Sequence, residues 1–429
     1  MTPLCTYLAH NTIIVLHTII ILYATDYNGI ISKKSEKEEW FIMQYSDRIL
    51  NTPSSFIRNI LKVTDSKDVI SFAGGLPNPI SFPIDALKAS VDHAISENGS
   101  KLFQYSTTQG YAPLREYIAA KYQRVHGLDI QPEDVFITTG SQQALELIGK
   151  VLVNKGDGIV IEEPGYLGAI QAFTLSEPTF YGVTLENDGL NLAELENALQ
   201  QPNVKFVYTV PNFQNPTGLT YSKEKREQIC DIISKYDVAL IEDDPYGELR
   251  FHGEPLPYIG AGKLDNSILL GSFSKTVTPG MRLGFIITKN KELMQHIETA
   301  KQATDLHTNI FSQYVIYDYL ANNDYTEHVK KIVALYKEQS DAMLAAMDEF
   351  FPAHVSYTKP EGGMFIWATM NNGASALEVF NKAMEQKVAF VPGDPFYTSK
   401  TGVNTLRLNY TNATPEVIRE GIKRLGSIL

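Results

Sequence analysis

The most constraining feature of this 429-residue sequence is a regular alternation of short apolar stretches with helical stretches between about residues 102 and 288. One helical stretch, 141–153, places its apolar side chains on one broad face. Such alternation is typical of a mostly parallel sheet covered by helices, and ligands of these sheets collect at the carboxyl ends of the strands. The candidate strands are 135–138, 158–162, 205–210, 239–242, 268–271 and 283–288.

After residue 289 the pattern changes. Longer helices rich in Lys and Glu continue to about residue 351, and a mixed tail of strands and helices follows. Within this tail, 363–369, 388–391 and 405–408 are candidate strands. We expect the segment 45–84, which precedes the alternating region, to pack with this tail.

Composition excludes several classes of partner. The net charge of −12 argues against nucleic acid or an anionic membrane. Cys5 and Cys230 are far apart, so they give neither a disulfide framework nor a zinc-type spacing, and the nine histidines show no ligand spacing. We therefore expect no structural metal and a cytoplasmic location.

The first 42 residues differ from the rest of the sequence. Residues 12–23 are apolar except for His17 and Thr18, so the unbroken apolar stretches are shorter than the roughly 18–20 residues of a membrane anchor. Residues 1–11 contain no Lys or Arg, unlike a signal peptide. Our hypothesis is that Met43 is the natural start and that 1–42 is not part of the fold; the alternative is a hydrophobic N-terminal anchor. An intact mass of the native protein that includes 1–42 would contradict the hypothesis.

One group of residues indicates phosphate binding. Gly140–Gln143 follows a candidate strand and opens a helix, whose free N–H groups and positive dipole end favour an anion. Ser141 read alone could equally be an ordinary N-cap. Ser272, Ser274 and Arg282 would add hydroxyl and guanidinium donors to the same dianion.

Lys275 lies among these donors, just after an apolar strand and seven residues before Arg282. An amine at a strand end beside phosphate ligands suits the lysine that forms a Schiff base with pyridoxal 5′-phosphate (PLP). A solvated loop lysine is the alternative for an isolated residue of this type.

Two further segments suit the flat ring of such a cofactor. Tyr166 follows one strand and could stack on a pyridine ring, or could be half-buried packing. Asp243 and Asp244 follow another strand, where a carboxylate could keep a pyridine nitrogen protonated or could simply cap a helix. Between the two we choose Asp243, because it lies nearer the strand.

The stretch 211–218 contains two prolines and a glycine, which describes a rigid turn. Asn215 within it could also donate its amide to the phenolic oxygen of the cofactor, with Tyr246 beside it. The Asn215–Pro216 bond is a candidate for the cis form.

Taken together and in order, these motifs are specific. From Met43 to the C-terminus the sequence resembles the fold-type I PLP-dependent aminotransferases of class I/II. Within them it is most similar to the 2-aminoadipate/kynurenine aminotransferase group, which is related to the aminotransferase domain of GntR-type regulators. The motifs are Ala73–Pro79, Gln104–Ser106, Gly140–Gln143, Asn215–Gly218, Glu242–Tyr246, Ser272–Lys275 and Leu406–Leu408.

The resemblance implies a role for each cofactor-binding position. Lys275 matches the Schiff-base lysine, Asp243 the partner of the pyridinium nitrogen, and Tyr166 the stacking aromatic. Asn215 and Tyr246 match the pair on the phenolic oxygen. The phosphate ligands would be Ser141, Gln142, Ser272, Ser274 and Arg282.

It also implies the substrate side and the assembly. Arg407 matches the arginine that holds the substrate α-carboxylate beside Asn215, and Gly75 lines the substrate pocket. Arg58 matches a mobile arginine near the substrate side chain, although Phe56 stands where relatives often have proline, and a surface charge is the alternative for Arg58. Tyr105 resembles the tyrosine that reaches the phosphate of the neighbouring subunit, which implies a homodimer with shared active sites.

The implied fold is α/β. A large PLP-binding domain, 96–310, would hold a mostly parallel seven-stranded sheet between helices. A smaller α+β domain would consist of 311–429 with the N-terminal segment 43–95.

The implied activity is a reversible ping-pong transamination. An L-amino acid of the 2-aminoadipate, aromatic or branched-chain type would give its amino group to a 2-oxo acid such as 2-oxoglutarate. The alternatives are a PLP-dependent lyase or decarboxylase on the same scaffold, and a PLP-binding regulator module. The regulator would need an N-terminal winged helix, for which 1–42 is too short and insufficiently basic.

Overall fold

The computed structural model describes residues 43–53, 60 and 68–429, and Ser46–Leu429 forms one compact unit. The expected leader 1–42 and Arg58 lie outside the described residues. Across the described residues, no helix is both long enough and apolar enough to span a membrane.

The structure contains short and long strands in two main sheets. The strands are β1 (Ile70–Ser71), β2 (Val135–Thr138), β3 (Gly158–Glu163), β4 (Thr179–Glu186), β5 (Gly189–Leu190), β6 (Val204–Thr209), β7 (Ala239–Asp243), β8 (Ser267–Ser272), β9 (Gly284–Ile287), β10 (Val355–Tyr357), β11 (Phe365–Met370), β12 (Val388–Ala389), β13 (Val391–Pro392) and β14 (Thr405–Asn409).

Helices connect most of these strands. The α-helices are α1 (Asp47–Leu50), α2 (Ile84–Asn98), α3 (Ala112–His126), α4 (Gly140–Leu152), α5 (Leu167–Thr174), α6 (Leu192–Leu199), α7 (Lys223–Ile233), α8 (Lys291–Thr304), α9 (Ile310–Asn322), α10 (Tyr325–Phe350), α11 (Ala376–Glu385) and α12 (Pro415–Gly426). Short 3₁₀ turns occupy Pro79–Ser81, Gly99–Phe103, Pro132–Asp134 and Asp394–Phe396.

The large sheet has eight strands in the order β2-β9-β8-β7-β6-β3-β4-β5. The central pairs from β8 to β4 are all parallel, and antiparallel pairs occur only at the two edges. The mostly parallel α/β sheet expected from the sequence is confirmed, and every candidate strand of the alternating region is present. The sheet has one strand more than the expected seven. The additional strand is the two-residue β5, which pairs antiparallel with the end of β4.

The central strands are buried on both faces, which is why they read as continuous apolar stretches. In β3, Ile159 and Ile161 pack in the same cluster as Leu145 and Phe173. Val160, between them, packs in a second cluster on the other side of the sheet. Because both faces are covered, the polar side chains that follow these strands are left to gather at the carboxyl edge.

A smaller antiparallel sheet, in the order β10-β11-β14-β13, forms in the C-terminal part. The three candidate strands of the tail correspond to β11, to the pair β12 and β13, and to β14. The N-terminal strand β1 pairs with β12, with Ile70 opposite Val388, as expected of the segment that precedes the large sheet. The limits of the large and small domains stay a prediction.

Candidate active site

The carboxyl ends of the central strands open into a cavity of about 330 Å³. Strands β7 and β8 end at it, the loop after β3 and the turn after β6 line it, and β14 of the smaller sheet closes it with one side chain. All predicted site residues that the structure describes, except Tyr105, line this cavity. They are Gly75, Ser141, Gln142, Tyr166, Asn215, Asp243, Tyr246, Ser272, Ser274, Lys275, Arg282 and Arg407.

A larger surface groove of about 960 Å³ lies elsewhere, between residues around His126, Lys263 and Asn290. None of the predicted site residues lines it. The smaller cavity is the better candidate because buried ionisable groups converge on it.

The first turn of α4 and Arg282 form an anion site. Gly140 has a φ of +72°, and a Cβ placed there would lie 2.6 Å from Nη2 of Arg282. Glycine is therefore required here both by its backbone conformation and by the close approach of the guanidinium. The unpaired N–H groups of a helix start and an adjacent guanidinium together favour a bound dianion.

The serines beside this turn are held by short local contacts. The hydroxyl of Ser272 accepts a hydrogen bond from the Ser274 backbone N–H at 3.1 Å. The side-chain amide of Gln142 donates to the carbonyl of Gly168 at 2.8 Å, which ties α4 to the start of α5. The loop that carries Tyr166 is thereby fastened to the first turn of α4.

Asp243 is almost completely buried and only half satisfied. Its Oδ2 accepts a hydrogen bond from the hydroxyl of Tyr208 at 2.8 Å. Its Oδ1 is buried and has no hydrogen-bond partner among the described residues. Burial raises the pKa of Asp243 to about 7; the Tyr208 hydrogen bond opposes this, and Asp244 and Glu162 add to it. Oδ1 is therefore free to accept a hydrogen bond from an N–H group of a ligand.

Lys275 presents an amine of lowered pKa to the same cavity. Its side chain is half-buried, and Nζ donates to the carbonyl of Gly75 at 3.0 Å. Burial, followed by the charges of Arg407 and Arg282, lowers the pKa of this amine to about 8. The amine is therefore far easier to deprotonate near neutral pH than an exposed lysine.

Two tyrosine hydroxyls and an amide line the same cavity. Asn215 Nδ2 donates to the Tyr246 hydroxyl over a long 3.4 Å, and the Asn215–Pro216 bond is cis, as the sequence predicted. Burial raises the pKa of Tyr166 to about 12 and also raises the pKa of Tyr246. Both hydroxyls consequently stay protonated and can donate.

Arg407 is 1% exposed and lies between two aromatic rings. Its guanidinium carbon is 4.4 Å from the centroid of Phe365 and 5.2 Å from that of Phe396. Nη1 donates to Asn215 Oδ1 at 2.8 Å and Nη2 to the Ala73 carbonyl at 2.9 Å. Burial lowers the pKa of Arg407 to about 10, so it is still a cation at neutral pH. Among the described side chains no carboxylate pairs with it, which leaves the charge for a ligand carboxylate.

Sequence reasoning missed Tyr208 and the role of Phe365. Tyr208 lies inside an apolar strand, and its polar partner comes from a strand more than thirty residues later in the chain, so no local signal marks it. Phe365 packs against both Arg407 and Tyr246.

Tyr105 is 80% exposed and contacts the ring of His307 edge-on. In the part of the chain that the structure describes, no cluster of side chains could hold a metal ion.

Comparison with known proteins agrees with this geometry. The family model described as aminotransferase class I and II matches residues 71–425. The aromatic-amino-acid aminotransferase 1 of Thermococcus litoralis is 42% identical over 391 residues, 90% of this chain and 94% of the relative. The 2-aminoadipate transaminase of Thermus thermophilus is 40% identical over 381 residues, covering 88% and 94%. HTH-type transcriptional regulators are among the more distant relatives.

A solved structure is similar over nearly the same extent. The kynurenine aminotransferase of Pyrococcus horikoshii, determined in complex with PMP, superposes with a TM-score of 0.86 at 41% identity, and the match covers 90% of this chain and 96% of that one. The chain belongs to the class I and II aminotransferases. It is an enzyme of amino-group transfer whose cofactor is PLP.

The residues present fit that cofactor. The half-satisfied Asp243 offers an acceptor for a protonated ring nitrogen, and the α4 turn with Arg282 offers donors for a phosphate. Lys275 lines the same cavity and offers an amine for the aldehyde. Three separate features of the cavity thus match the ring nitrogen, the phosphate and the aldehyde of PLP.

The lowered pKa of Lys275 gives a test in the cofactor-free protein. Only the neutral amine reacts with an acylating reagent, so labelling of Lys275 should rise with pH and level off just above a midpoint near 8. Competitive acetylation between about pH 6 and pH 11, read by mass spectrometry of the digested protein, measures this midpoint. Exposed lysines of the same digest serve as the reference. Labelling of Lys275 that still rises steeply above about pH 10 would contradict the assigned environment.

Proposed function

We propose that this enzyme exchanges amino groups between an L-amino acid and a 2-oxo acid by a ping-pong mechanism, with Lys275 as its catalytic base. The observation that carries the assignment is that Lys275, whose amine has a lowered pKa, shares one cavity with a half-satisfied Asp243 and with an Arg407 that has no carboxylate partner among the described residues. Proton transfer at the substrate Cα needs a base, a group that accepts the electron pair of the Cα–H bond, and a substrate held in place. Lys275 suits the first need, Asp243 supports the second through the cofactor ring, and Arg407 suits the third.

When bound, PLP supplies an electron-withdrawing ring that delocalises the electron pair of the breaking Cα–H bond. Asp243 would keep the ring nitrogen protonated, because a carboxylate beside it stabilises the cationic form. Tyr166 would stack on the ring. Asn215 and Tyr246 would donate to the phenolic oxygen. The phosphate would be held by Ser141, Gln142, Ser272, Ser274 and Arg282.

Arg407 binds the α-carboxylate of the amino acid through the planar edge of its guanidinium. Its position between Phe365 and Phe396 limits movement of the guanidinium, so the Cα–H bond is presented in a fixed direction. Lys275 would take the Cα proton and hold it at its Nζ. Because its pKa is about 8, the amine is mainly protonated at neutral pH but has a neutral fraction far larger than that of an exposed lysine, and this fraction can act as the base.

Substitution of Lys275 by alanine tests this role. We expect the Lys275→Ala variant to lose at least roughly 10²–10⁴-fold in the rate of transamination, the contribution of a positioned base. The exposed Lys235, which pairs with Glu196 at the surface, gives the matched control Lys235→Ala, with an unchanged rate. The assay follows 2-oxo acid and glutamate formed from an amino acid and 2-oxoglutarate. A normal rate in Lys275→Ala would refute the role, and release of ammonia in place of glutamate would favour a lyase.

For the substrate we propose an L-amino acid of the aromatic, 2-aminoadipate or branched-chain type, with 2-oxoglutarate as the acceptor. The names of the two relatives support the first two types. Leu76, Pro77 and Phe365 give part of the cavity an apolar wall, which suits aromatic and branched side chains. The proposed contact of Arg58 with a distal substrate group stays a prediction, as does the contact of Gly75 with the substrate.

A screen of amino donors against 2-oxoglutarate measures this preference. The expected result is a higher kcat/KM for aromatic amino acids, leucine or 2-aminoadipate than for aspartate or alanine. Aspartate or alanine as the preferred donor would contradict the proposed substrate class.

We also propose a homodimer in which Tyr105 reaches the phosphate site of the neighbouring subunit. Its large exposed ring, beside exposed Phe103, supports a role outside its own cavity. Sedimentation at micromolar concentration should give twice the chain mass, and a stable monomer with full activity would contradict this assembly.

We propose a cytoplasmic location as well, in keeping with the free Cys230. The expected absence of nucleic-acid and membrane partners stays a prediction.

A further inference from the structure

Glu162, the next-to-last residue of β3, is a completely buried carboxylate that does not line the cavity. Its Oε1 accepts hydrogen bonds from the Tyr221 hydroxyl at 2.6 Å and from the Val210 backbone N–H at 2.9 Å. Its Oε2 accepts from the side-chain amide of Gln214 at 2.9 Å. All three groups donate to the carboxyl group, an arrangement that a carboxylate satisfies and an amide does not.

Gln214 extends this contact to a second loop. The same amide nitrogen also donates to the carbonyl of Pro164 at 2.9 Å. The amide oxygen accepts from the backbone N–H and the hydroxyl of Thr217, at 2.9 and 2.7 Å. Every side-chain polar atom of Gln214 is therefore engaged, and the residue is fully buried. Gln214 joins the loop after β3 to the turn after β6.

The two loops carry two of the residues proposed to contact the cofactor ring. Tyr166 is two residues beyond Pro164, and Asn215 is the residue after Gln214. Asn215 is in turn the acceptor for Arg407 Nη1. A displacement at Glu162 would therefore move the Asn215 amide relative to the Tyr166 ring, and would move the anchor of Arg407 with it.

We infer that Glu162 is a positioning residue: through Gln214 it fixes the Asn215 amide against the phenolic oxygen of PLP. The inference rests on the proposed role of Asn215. Glu162 touches neither cofactor nor substrate and acts only through the turn 211–218, so it is not a catalytic residue.

The chain offers a matched control in the adjacent residue. Glu163 is also a buried carboxylate of β3, at 6% exposure. It accepts hydrogen bonds from the Thr398 backbone N–H and hydroxyl and from Ser399, and pairs with Lys400, all in the C-terminal part. Glu162→Gln and Glu163→Gln thus make the same carboxyl-to-amide change at neighbouring positions, and only the first disturbs Gln214. Burial raises the pKa of Glu162 to about 7, so the two variants match in side-chain shape rather than in the charge removed.

The readout is the pH at which the absorbance of the bound cofactor changes. A hydrogen bond to the phenolic oxygen stabilises its anionic form, so a misplaced Asn215 amide leaves the chromophore protonated to higher pH. For Glu162→Gln we expect this midpoint to rise by about half a pH unit or more, the effect of weakening one hydrogen bond. We also expect several-fold weaker retention of PLP in equilibrium dialysis. Glu163→Gln should leave the midpoint where it is in the unsubstituted protein.

Tyr221→Phe provides a gentler variant in case Glu162→Gln does not fold. It removes one donor from Glu162 and leaves the shape of the core unchanged. The midpoint should move in the same direction by less, and the Glu162→Gln/Tyr221→Phe double variant should shift by less than the sum of the single variants.

Two outcomes would overturn the inference. One is an unshifted midpoint in the folded Glu162→Gln variant or, if that variant does not fold, in Tyr221→Phe. The other is an equal shift in Glu163→Gln. Failure of the proposed role of Asn215 is distinguished by the Asn215→Ala variant: if Asn215 does not donate to the phenolic oxygen, its midpoint stays unshifted as well, whereas failure of this inference alone leaves Asn215→Ala shifted and Glu162→Gln unshifted.

Discussion

The active site depends on buried ionisable side chains that lack hydrogen-bond partners within the protein. Among the described residues, one oxygen of Asp243 has no hydrogen-bond donor and the buried Nε–H of Arg407 has no acceptor. Burial favours the neutral form of each group. It raises the pKa of Asp243 to about 7 and lowers the pKa of Lys275 to about 8 and that of Arg407 to about 10. Such groups are costly unless a ligand completes their interactions. A cofactor with an anionic phosphate and a cationic ring, together with a substrate carboxylate, supplies the missing charges.

The order of the strands explains how residues distant in sequence meet in one cavity. Strands β3, β6, β7 and β8 are direct neighbours and parallel, so their carboxyl ends share one edge of the sheet. Tyr166, Asn215 and Lys275 follow β3, β6 and β8, and Asp243 is the last residue of β7. Arg407 is the exception, because it reaches the cavity from β14 of the smaller sheet. The substrate side of the site therefore depends on a second structural element.

Much of this arrangement is readable in the sequence, and the exceptions have physical reasons. The buried central strands were predicted because both of their faces are apolar. β4 was missed because Val183 is its only buried residue, so it shows no apolar run. The motif residues were found because they follow strand ends, where function is expected. Tyr208, Glu162 and Gln214 were not, since their roles come from contacts between strands that no local pattern records. Arg58 lies outside the described residues, and the proposed contact of Tyr105 with a neighbouring subunit stays a prediction.

The central claim is that Lys275 is the residue that bonds covalently to PLP. Reducing the PLP-loaded protein with borohydride, digesting it and sequencing the modified peptide by mass spectrometry tests this claim most directly. The account predicts a single major phosphopyridoxyl group on the Lys275 Nζ, and loss of this label in Lys275→Ala. A protein that takes up no label, or a label mainly on another lysine such as the buried Lys301, would contradict it.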